Sequence, residues 1–265
     1  MVTKKGQVKK TSLDKYSKPR VNGVAAITIK DGDELLGAKL TNGESQVLIA
    51  GRSGKMVRFE EYKTRPMGRT ASGVRGITLK DETDEVIGIV TVDKENVNDT
   101  QILVVTENGY GKRTKLVDDD GEDVYRITNR GGKGVKTLNI TEKTGALIAI
   151  NNVTDADDLM IINKSGLTIR MAVEDLRVMG RATQGVKLIN IKGSDSIAAV
   201  TKVMKDDISE PEIDEDGNVI EVEAIERVKP VLEVLEDDGS VEDDEEDDEE
   251  VIDEEEAEDD SEDDE

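Results

Sequence analysis

The sequence predicts an all-β, propeller-like fold of about four four-stranded repeats, followed by an acidic tail. Three observations predict it: a hairpin motif that recurs four times, a second β-rich motif after each copy, and a change of composition near residue 205. Polar and apolar residues alternate in the second motif, with the period of half-buried strands. Four short strands recurring about every 50 residues are typical of propeller-like blades, each of which buries its faces against its neighbours.

The first motif of each repeat is a strand, a turn at a glycine and a second strand. The turn glycines are separated by 48, 55 and 57 residues, and they are Gly6, Gly54, Gly109 and Gly166. The fourth residue after each glycine is a cation, and these cations are Lys10, Arg58, Arg113 and Arg170. Because the same residue type recurs at the same position of each copy, we interpret the pattern as an internal repeat.

The second motif of each repeat is a Gly-Val pair followed by a β-rich run. The pairs begin at Gly23, Gly73, Gly134 and Gly185. A further apolar strand then closes each unit. We therefore expect blade repeats at 1–45, 46–98, 99–154 and 155–204, which together form one domain. A helical solenoid is the competing architecture, but the Val/Ile/Thr-rich alternation and the frequent glycine turns favour strands.

A loop with an arginine precedes each Gly-Val pair. The four arginines are Arg20, Arg69, Arg130 and Arg181. The third loop, Thr128-Asn129-Arg130-Gly131-Gly132-Lys133-Gly134, is the richest in glycine, which lets a backbone approach a ligand closely. Its two cations indicate an anion. As an alternative, the same loop is a tight turn between blades.

Equivalent positions of blades arranged around an axis fall on a ring, so recurring cations predict a curved track for phosphates. The candidate DNA-binding residues are Lys10, Arg20, Arg58, Arg65, Arg69, Arg75, Lys112, Arg113, Arg126, Arg130, Lys133, Arg170, Arg181 and Lys187. The alternatives are an ordinary solvated face and, for a single arginine, a bond to a carbonyl of a blade. Because aromatic residues make up only 2% of the chain, stacking on single strands has little scope, and duplex binding without strong sequence preference is expected.

Charge is divided unevenly along the chain. Residues 205–265 contain 34 acidic and three basic residues, whereas residues 1–204 contain 27 acidic and 33 basic ones. A basic body with an acidic tail indicates nucleic acid as a partner. The sequence has no cysteine and no histidine, which excludes disulfides, the usual zinc sites and histidine-based triads. No apolar run approaches the roughly 20 residues of a membrane span, and no signal-peptide core is present.

We expect the tail, residues 205–265, to be largely disordered, with a transient hairpin closed by Asp216-Gly217-Asn218. Two roles are open for it. It is a solubility tail, or it lies on the basic body as a DNA mimic and regulates binding.

Several motifs resemble the C-terminal domain of the A subunit of bacterial DNA gyrase, which has a propeller-like fold called the β-pinwheel. The motifs cover roughly residues 1–204 and are Thr3-Lys4-Lys5-Gly6, Arg65-Pro66-Met67-Gly68-Arg69-Thr70-Ala71, Thr106-Glu107-Asn108-Gly109-Tyr110-Gly111-Lys112-Arg113-Thr114 and Met179-Gly180-Arg181-Ala182-Thr183-Gln184-Gly185-Val186. The resemblance implies a domain that binds double-stranded DNA and wraps it around its rim. Such a domain supports ATP-dependent negative supercoiling by an A2B2 enzyme.

The chain departs from the family pattern in three ways. The gyrase box, Gln-Arg-Arg-Gly-Gly-(Lys/Arg)-Gly, matches residues 128–134 with Thr128 and Asn129 in place of the first two residues, so this is a degenerate copy. Four blades are found where the family usually has five or six, so we expect the C-terminal portion of a longer subunit. Nothing resembles the region that holds the DNA-cleaving tyrosine, and no catalytic or metal site is assigned.

The resemblance also implies partners, cofactors and location. The partners are the gyrase B subunit, together with the remainder of the A subunit, and no membrane. ATP and magnesium are used through other domains, so no cofactor is expected in this chain, which should be inactive alone. A bacterial cytoplasmic, nucleoid-associated location follows. The alternatives are a non-enzymatic protein-interaction propeller with an acidic recruiting tail and the C-terminal domain of a topoisomerase IV A subunit.

Overall fold

The computed structural model describes residues 1–191, 193, 195–204, 212–213 and 219–220. These residues contain strands and short 3-10 turns but no α-helix, which confirms the predicted all-β class. The 3-10 turns lie at Leu13–Tyr16, Glu61–Lys63, Lys94–Asn96 and Val173–Asp175. Within the described ranges no helix has the length and apolarity that a membrane crossing requires.

The strands are short at the edges of the sheets and longer in their middle. In chain order they are β1 (Val2–Thr3), β2 (Gln7–Val8), β3 (Leu35–Gly37), β4 (Gln46–Gly51), β5 (Lys55–Glu60), β6 (Val74–Arg75), β7 (Val86–Val92), β8 (Gln101–Thr106), β9 (Tyr110–Lys115), β10 (Val135–Lys136), β11 (Leu147–Val153), β12 (Asp157–Asn163), β13 (Thr168–Ala172), β14 (Val186–Lys187), β15 (Ile197–Met204), β16 (Glu212–Ile213) and β17 (Val219–Ile220).

Four antiparallel sheets follow one another along the chain. The spatial strand orders are β3-β1-β2-β6, β10-β5-β4-β7, β11-β8-β9-β14 and, with three strands, β13-β12-β15. The hairpins close at Gly6, Gly54, Gly109 and Gly166, as the sequence predicts. Strands β16 and β17 pair antiparallel with each other, and the turn predicted at Asp216-Gly217-Asn218 lies outside the described residues. The rest of the predicted disordered tail lies outside the described residues.

The sheets do not coincide with the repeats, because each repeat gives one strand to the sheet before it. Strand β6 of the second repeat adds to the first sheet, β10 of the third repeat adds to the second, and β14 of the fourth adds to the third. The second, third and fourth repeats have the predicted four strands each, but the four strands of a repeat are not the four strands of one sheet. We call β6, β10 and β14 the rim strands, and each contact between a rim strand and the preceding sheet a joint.

Each joint requires a glycine at the start of the rim strand. Gly73, Gly134 and Gly185 have φ angles of +96°, +76° and +81°, in the region that glycine alone adopts without strain. A Cβ at these positions would lie 2.6–2.7 Å from a backbone carbonyl group of the preceding sheet. The Gly-Val pair of the sequence therefore marks a close backbone approach between two repeats.

The turn glycine of the preceding repeat completes each joint. The carbonyl oxygen of Gly6 accepts the N–H groups of Gly76 and Ile77, at 2.8 and 3.4 Å. The carbonyls of Gly54 and Gly109 accept the equivalent N–H groups of the next repeat at the same two distances. One turn oxygen thus fixes the register of the incoming rim strand.

The hydrophobic core lies between successive sheets. Neighbouring residues of one strand face opposite layers: Leu48 packs with Ile102 towards the third sheet, whereas Ile49 packs with Val8 towards the first. Strands β4 and β8 are buried almost throughout for this reason. Strands β3, β7, β11 and β15 are packed against one another from sheet to sheet, so they form the inner side, and the rim strands lie at the opposite, outer edges.

The first core layer contains a gap beside Thr64. Three backbone bonds, from Met67, Thr128 and Met179 to the strand-end cation of the preceding repeat, show which residues are equivalent. The residues three positions before these donors are therefore also equivalent, and they are Thr64, Tyr125 and Leu176. Tyr125 and Leu176 are buried between sheets. Thr64 lines an open-sided cavity of about 370 Å³ and its buried hydroxyl has no hydrogen-bond partner.

We predict that Thr64→Leu stabilises the protein, since the substitution adds apolar contacts and removes an unsatisfied hydroxyl. The free energy of unfolding should rise by about 1 kcal/mol in urea titrations. The reciprocal variant Leu176→Thr should lower it by roughly 2–4 kcal/mol, because it opens the equivalent gap in a filled layer. A Thr64→Leu protein less stable than wild type would show that the cavity does not result from the smaller side chain.

Candidate nucleic-acid interface

The cations at the ends of the hairpin strands are not on the surface. Arg58 is 2% exposed, and its guanidinium group donates to Gln46 Oε1 at 2.7 and 2.9 Å, to the carbonyl of Tyr125 at 2.7 Å and to Asp123 at 2.8 Å. Strand β5 points this side chain into the layer between two sheets. Since Gln46 belongs to the second repeat whereas Tyr125 and Asp123 belong to the third, Arg58 connects these two repeats.

Arg113 makes the equivalent connection one repeat later. It is 7% exposed and donates through Nε to the carbonyl of Leu176 at 2.6 Å, while its outer nitrogens contact Asp155 and the carbonyl of Glu174. Leu176 is the equivalent of Tyr125, so both arginines bind the same carbonyl of the following repeat. At this position of the second and third repeats, the arginine therefore has the same structural role, which is to bind the following repeat.

The equivalent cations of the first and fourth repeats, Lys10 and Arg170, also form ion pairs. Lys10 Nζ lies 3.6 Å from Glu61 Oε1 and 3.2 Å from the carbonyl of Glu61. Arg170 Nε donates to the buried carboxylate of Asp158 at 2.7 Å. Both cations are largely enclosed, with side chains 22% and 14% exposed.

A second set of buried cations, Lys9 and Lys112, holds in place the loops that carry Arg69 and Arg181. Lys9 is 2% exposed, and its ammonium group donates to the carbonyl of Ala26 at 2.7 Å and to that of Arg69. Lys112 occupies the same position of the third repeat, is fully buried, and donates to the carbonyls of Gly180 and Arg181 at 2.5 and 2.6 Å. Each lysine thus fixes the loop that carries an arginine in the next repeat.

These contacts correct part of the predicted interface. Arg58, Lys112 and Arg113 are buried, whereas Lys10 and Arg170 are half-buried. Each is already bonded to a carbonyl or a carboxylate that it would have to leave to reach DNA, so the structure argues against the assignment of these five to phosphate binding. Removing a buried cation from its partners costs several kcal/mol. For Arg58 and Arg113 the recurrence is explained by a shared position between two successive repeats.

The remaining predicted cations lie at the surface, and all of them except Arg20 and Lys133 belong to rows defined by the joints. Because the segment from Met67 to Gly73 has the same length as its two counterparts, positions can be matched residue by residue. The three rows are Arg65, Arg126 and Arg177; Arg69, Arg130 and Arg181; and Arg75, Lys136 and Lys187. All nine side chains are exposed or half-buried. They lie on the rim strands and in the loops that lead into them.

Two members of these rows, Arg177 and Lys136, are absent from the sequence-based set. The signal was available: Arg177 is two residues before Met179, as Arg65 is before Met67, and Lys136 follows the Gly-Val pair directly. The sequences of these loops differ too much to be aligned without the structure. The backbone bonds of the joints show that these positions of successive repeats are equivalent.

The glycine-rich loop, residues 128–134, is held differently from the other two loops. Val57 replaces the buried lysine, and side-chain bonds from Thr78 and Arg130 hold the loop instead. The hydroxyl of Thr78 donates to the carbonyl of Gly131 at 2.6 Å, and Arg130 donates to the carbonyls of Arg75 and Lys63, each at 3.2 Å. This loop therefore connects two neighbouring joints along the rim.

Lys133, at the end of the same loop, is exposed and lines a cavity of about 290 Å³. Lys55, Lys80 and the hydroxyl-bearing Ser53 and Thr78 line it as well. The carboxylate of Asp84 is also present, but it accepts hydrogen bonds from Ser53 and from the Lys80 N–H. The three lysines suit an anion of phosphate type, whereas the two hydroxyl groups already donate to the Gly131 carbonyl and to Asp84.

Arg20 is the predicted cation with the least structural context. It is exposed in the loop of the first repeat, and its carbonyl accepts the N–H of Gly23 at 2.8 Å. In the described part of the chain no sheet receives the strand that would follow this loop, so Arg20 belongs to no row.

Comparison with known proteins identifies the family. The family described as DNA gyrase C-terminal domain, beta-propeller, matches residues 1–42, 45–93, 100–154 and 157–204. The DNA gyrase A subunit of Staphylococcus aureus (strain MRSA252) is 44% identical over 219 residues, which are 83% of this chain and 24% of that protein. The chain thus spans about a quarter of the length of such relatives.

Two solved structures share the fold. The C-terminal domain of DNA topoisomerase IV superposes with a TM-score of 0.69 at 24% identity, covering 77% of this chain and 60% of that one. The DNA gyrase A C-terminal domain superposes with a TM-score of 0.64 at 23% identity, covering 77% and 64%. Both similarities support the β-pinwheel architecture.

We predict a pH-dependent stability caused by Lys9. Burial lowers the pKa of Lys9 from 10.5 to about 8. The folded protein therefore releases this proton at lower pH than the unfolded chain, so the free energy of unfolding should rise between about pH 8 and pH 10. Urea titrations of wild type and Lys9→Met across this range should show the rise in wild type and its loss in the variant. Identical pH profiles would contradict the prediction.

Proposed function

This chain belongs to the family of DNA gyrase C-terminal domains, and from that premise we propose that it binds and wraps duplex DNA as part of a bacterial gyrase A subunit. The observation that carries the proposal is the set of three cation rows, each repeated once per joint along the outer edge of the sheets. The rows provide the same three positive groups to every successive segment of a bound duplex.

The chemistry of these rows fits phosphates rather than bases. Arginine and lysine on a convex rim reach the DNA backbone, and backbone contacts fix position without reading sequence. Bending a stiff duplex costs several kcal/mol over some 20–30 base pairs, so contacts must recur along the curve. Successive joints provide such recurrence.

The buried lysines contribute by fixing the loops. Lys9 and Lys112 bind backbone carbonyls of the Arg69 and Arg181 loops, and Thr78 and Arg130 secure the glycine-rich loop. A loop held in one conformation loses less entropy when it binds a ligand. We infer that these internal bonds place the exposed arginines before DNA arrives.

The larger assembly follows from the same proposal. Wrapped DNA would present a positive crossover to the enzyme, so that strand passage introduces negative supercoils. The other components would be the ATP-hydrolysing B subunit, in an A2B2 complex, with the remainder of the A subunit. ATP and magnesium would act through those parts, with no cofactor in this chain. The setting would be the bacterial cytoplasm, at the nucleoid.

Topoisomerase IV is the second candidate, favoured by the higher TM-score of its C-terminal domain. The sequence favours gyrase, since 44% identity to a gyrase A subunit is far above the 24% identity to the topoisomerase IV domain. The degenerate box at residues 128–134 is the sequence feature that favours the topoisomerase IV alternative.

We predict that the most exposed row, Arg65, Arg126 and Arg177, contributes strongly to DNA affinity. In the triple variant Arg65→Gln, Arg126→Gln and Arg177→Gln, the slope of log K against log salt should fall by up to about 3, or roughly 0.9 per lost phosphate contact. Fluorescence anisotropy with a labelled duplex of random sequence measures it. The matched control is Lys39→Gln, Lys94→Gln and Lys143→Gln, which removes equal charge from exposed lysines adjoining inner strands.

Equal losses in the two triple variants would show that net charge, not the rim, determines binding, and would overturn the assignment of the rows. Wrapping is tested separately by relaxing and ligating circular DNA in the presence of the protein. A wrapping domain changes the linking number of the product, whereas a protein-interaction propeller leaves it unchanged.

We predict that the acidic tail weakens DNA binding if it occupies the rim. Residues 205–265 carry a net charge of −31, from 34 acidic and three basic residues, opposite in sign to the body. Removing them should raise DNA affinity and steepen its salt dependence, as measured by the same anisotropy titration. Equal affinity and equal slope for 1–204 and the full chain would leave the tail without a regulatory contact.

A further inference from the structure

Two lysines stand directly opposite each other at the second joint. Strand β10 pairs with β5 so that Lys136 is the partner of Lys55, and directly opposed residues of antiparallel strands point to the same face. Both side chains are half-buried. Like charges in this arrangement destabilise a sheet, and partial burial strengthens their repulsion because less water screens them. Among the described residues neither lysine forms an ion pair, so this part of the chain supplies no counter-charge to them.

The other two joints have no such pair of like charges. At the first joint Arg75 lies opposite Gln7, and at the third Lys187 lies opposite Tyr110. The second joint differs because Lys55 replaces the glutamine and the tyrosine of the neighbouring repeats. Since Lys55 weakens the strand pairing and the other joints form without it, the lysine indicates a ligand rather than a requirement of the fold.

A cavity beside Lys55 brings two further lysines to the same place. It has a volume of about 290 Å³, at the lower end of the range for ligand pockets, and Lys80 and Lys133 line it together with Lys55. Buried Gly51 and Ile77 also line it, so it is a recess rather than a flat surface. The three lysines belong to strand β5, to the segment after the rim strand β6 and to the glycine-rich loop. Three separate segments therefore converge on one small volume.

One carboxylate also lines the cavity, but other donors already bind it. Asp84 accepts the N–H and the hydroxyl of Ser53, at 2.9 and 2.7 Å, and the Lys80 N–H at 3.0 Å. Asp81, which follows Lys80, accepts the N–H and the hydroxyl of Thr83 instead. The lining thus contains three ammonium groups and one carboxylate, which leaves an excess of positive charge.

The lysines of the cavity do not recur with the repeat. The equivalent backbone bonds of the second and third joints match Lys133 with Gln184 and Lys80 with Thr141, both of which are uncharged. The three rows of the rim present similar cations at every joint, as a long duplex requires. A cluster that this array contains once instead suits a ligand group that binds once.

We propose that Lys55, Lys133 and Lys136 form one phosphate-binding site at this cavity, which takes a single phosphate or diphosphate group. Lys80 supplies a further ammonium group at the cavity wall. Ammonium groups bind phosphate through charge-assisted hydrogen bonds, and an anion between Lys55 and Lys136 replaces their repulsion with two attractions. The group belongs to a free polyphosphate or to the backbone of a bound duplex. The first source is independent of the proposed function, whereas the second rests on it.

Isothermal titration calorimetry of the full chain with inorganic pyrophosphate tests the site, at fixed ionic strength and without divalent cations. Wild type should bind one equivalent. The double variant Lys55→Gln and Lys133→Gln should bind more weakly by about tenfold or more, because it removes two of the ammonium groups. Its fold should persist, since Gln7 and Gln184 occupy the equivalent positions of neighbouring repeats.

The matched control is Lys94→Gln and Lys143→Gln, which removes the same charge from exposed lysines outside the joints. It should bind pyrophosphate like wild type. An equal loss in the control would assign the binding to net charge and overturn the proposal. No binding by wild type, or several weak equivalents in all three proteins, would do the same.

Unfolding in urea without added anion separates ligand binding from a structural role of Lys55. Relief of the like-charge pair should raise the unfolding midpoint of Lys55→Gln above that of wild type. Added pyrophosphate should then raise the midpoint of wild type more than that of the variant, because binding stabilises the folded state. A lower midpoint for Lys55→Gln without anion would show that the fold itself needs the lysine and would contradict the proposal.

A competition titration identifies the source of the phosphate group, with a labelled duplex followed by fluorescence anisotropy at constant ionic strength. If a DNA phosphate fills the cavity, saturating pyrophosphate should weaken duplex binding to wild type but not to the double variant. If a free polyphosphate is the ligand, the duplex affinity of wild type should stay unchanged. Both results support the site. A chain that binds pyrophosphate here but binds no duplex would refute the proposed function and leave the site in place.

Discussion

The rest of the structure depends on the joint, in which a glycine carbonyl of one repeat accepts two N–H groups of the next. A turn oxygen can accept both only when the incoming backbone lies in direct contact with it, and a Cβ at Gly73, Gly134 or Gly185 would prevent that approach. No sheet is therefore completed by its own repeat. The sheets form a continuous array because each repeat supplies the outer edge of the one before.

The joint also divides the cations into two populations. Arg58, Arg113 and the two buried lysines lie inside it, where carbonyls and carboxylates compensate their loss of hydration. The arginines and lysines of the three rows lie outside it. Both populations recur with the period of the repeat, so periodicity alone cannot separate a cation that builds the fold from one available to a phosphate.

The two populations cooperate because the buried one orders the loops that carry the exposed one. Lys112 binds the backbone of Gly180 and Arg181, leaving the arginine side chain at the surface. The glycine-rich loop reaches the same result with Val57 in place of a lysine, by bonding to Thr78 and to the neighbouring rim strand. The backbone link between adjacent joints recurs at the next loop, where the Asn139 N–H donates to the Thr183 carbonyl, so the glycine-rich loop differs in the side-chain bonds that hold it.

The sequence by itself determined the strand class, the four hairpins, the Gly-Val pairs and the charge division, because these depend on local turn chemistry and side-chain alternation. It located the surface rows in part, through Arg65, Arg69 and Arg75 and their nearest counterparts. Only the tertiary structure decided which sheet each rim strand joins, and hence that Arg58 and Arg113 are buried whereas Arg177 and Lys136 are not. The exchange of strands between repeats produces no local sequence pattern, because a short strand that follows a Gly-Val pair has the same sequence whichever sheet edge it pairs with.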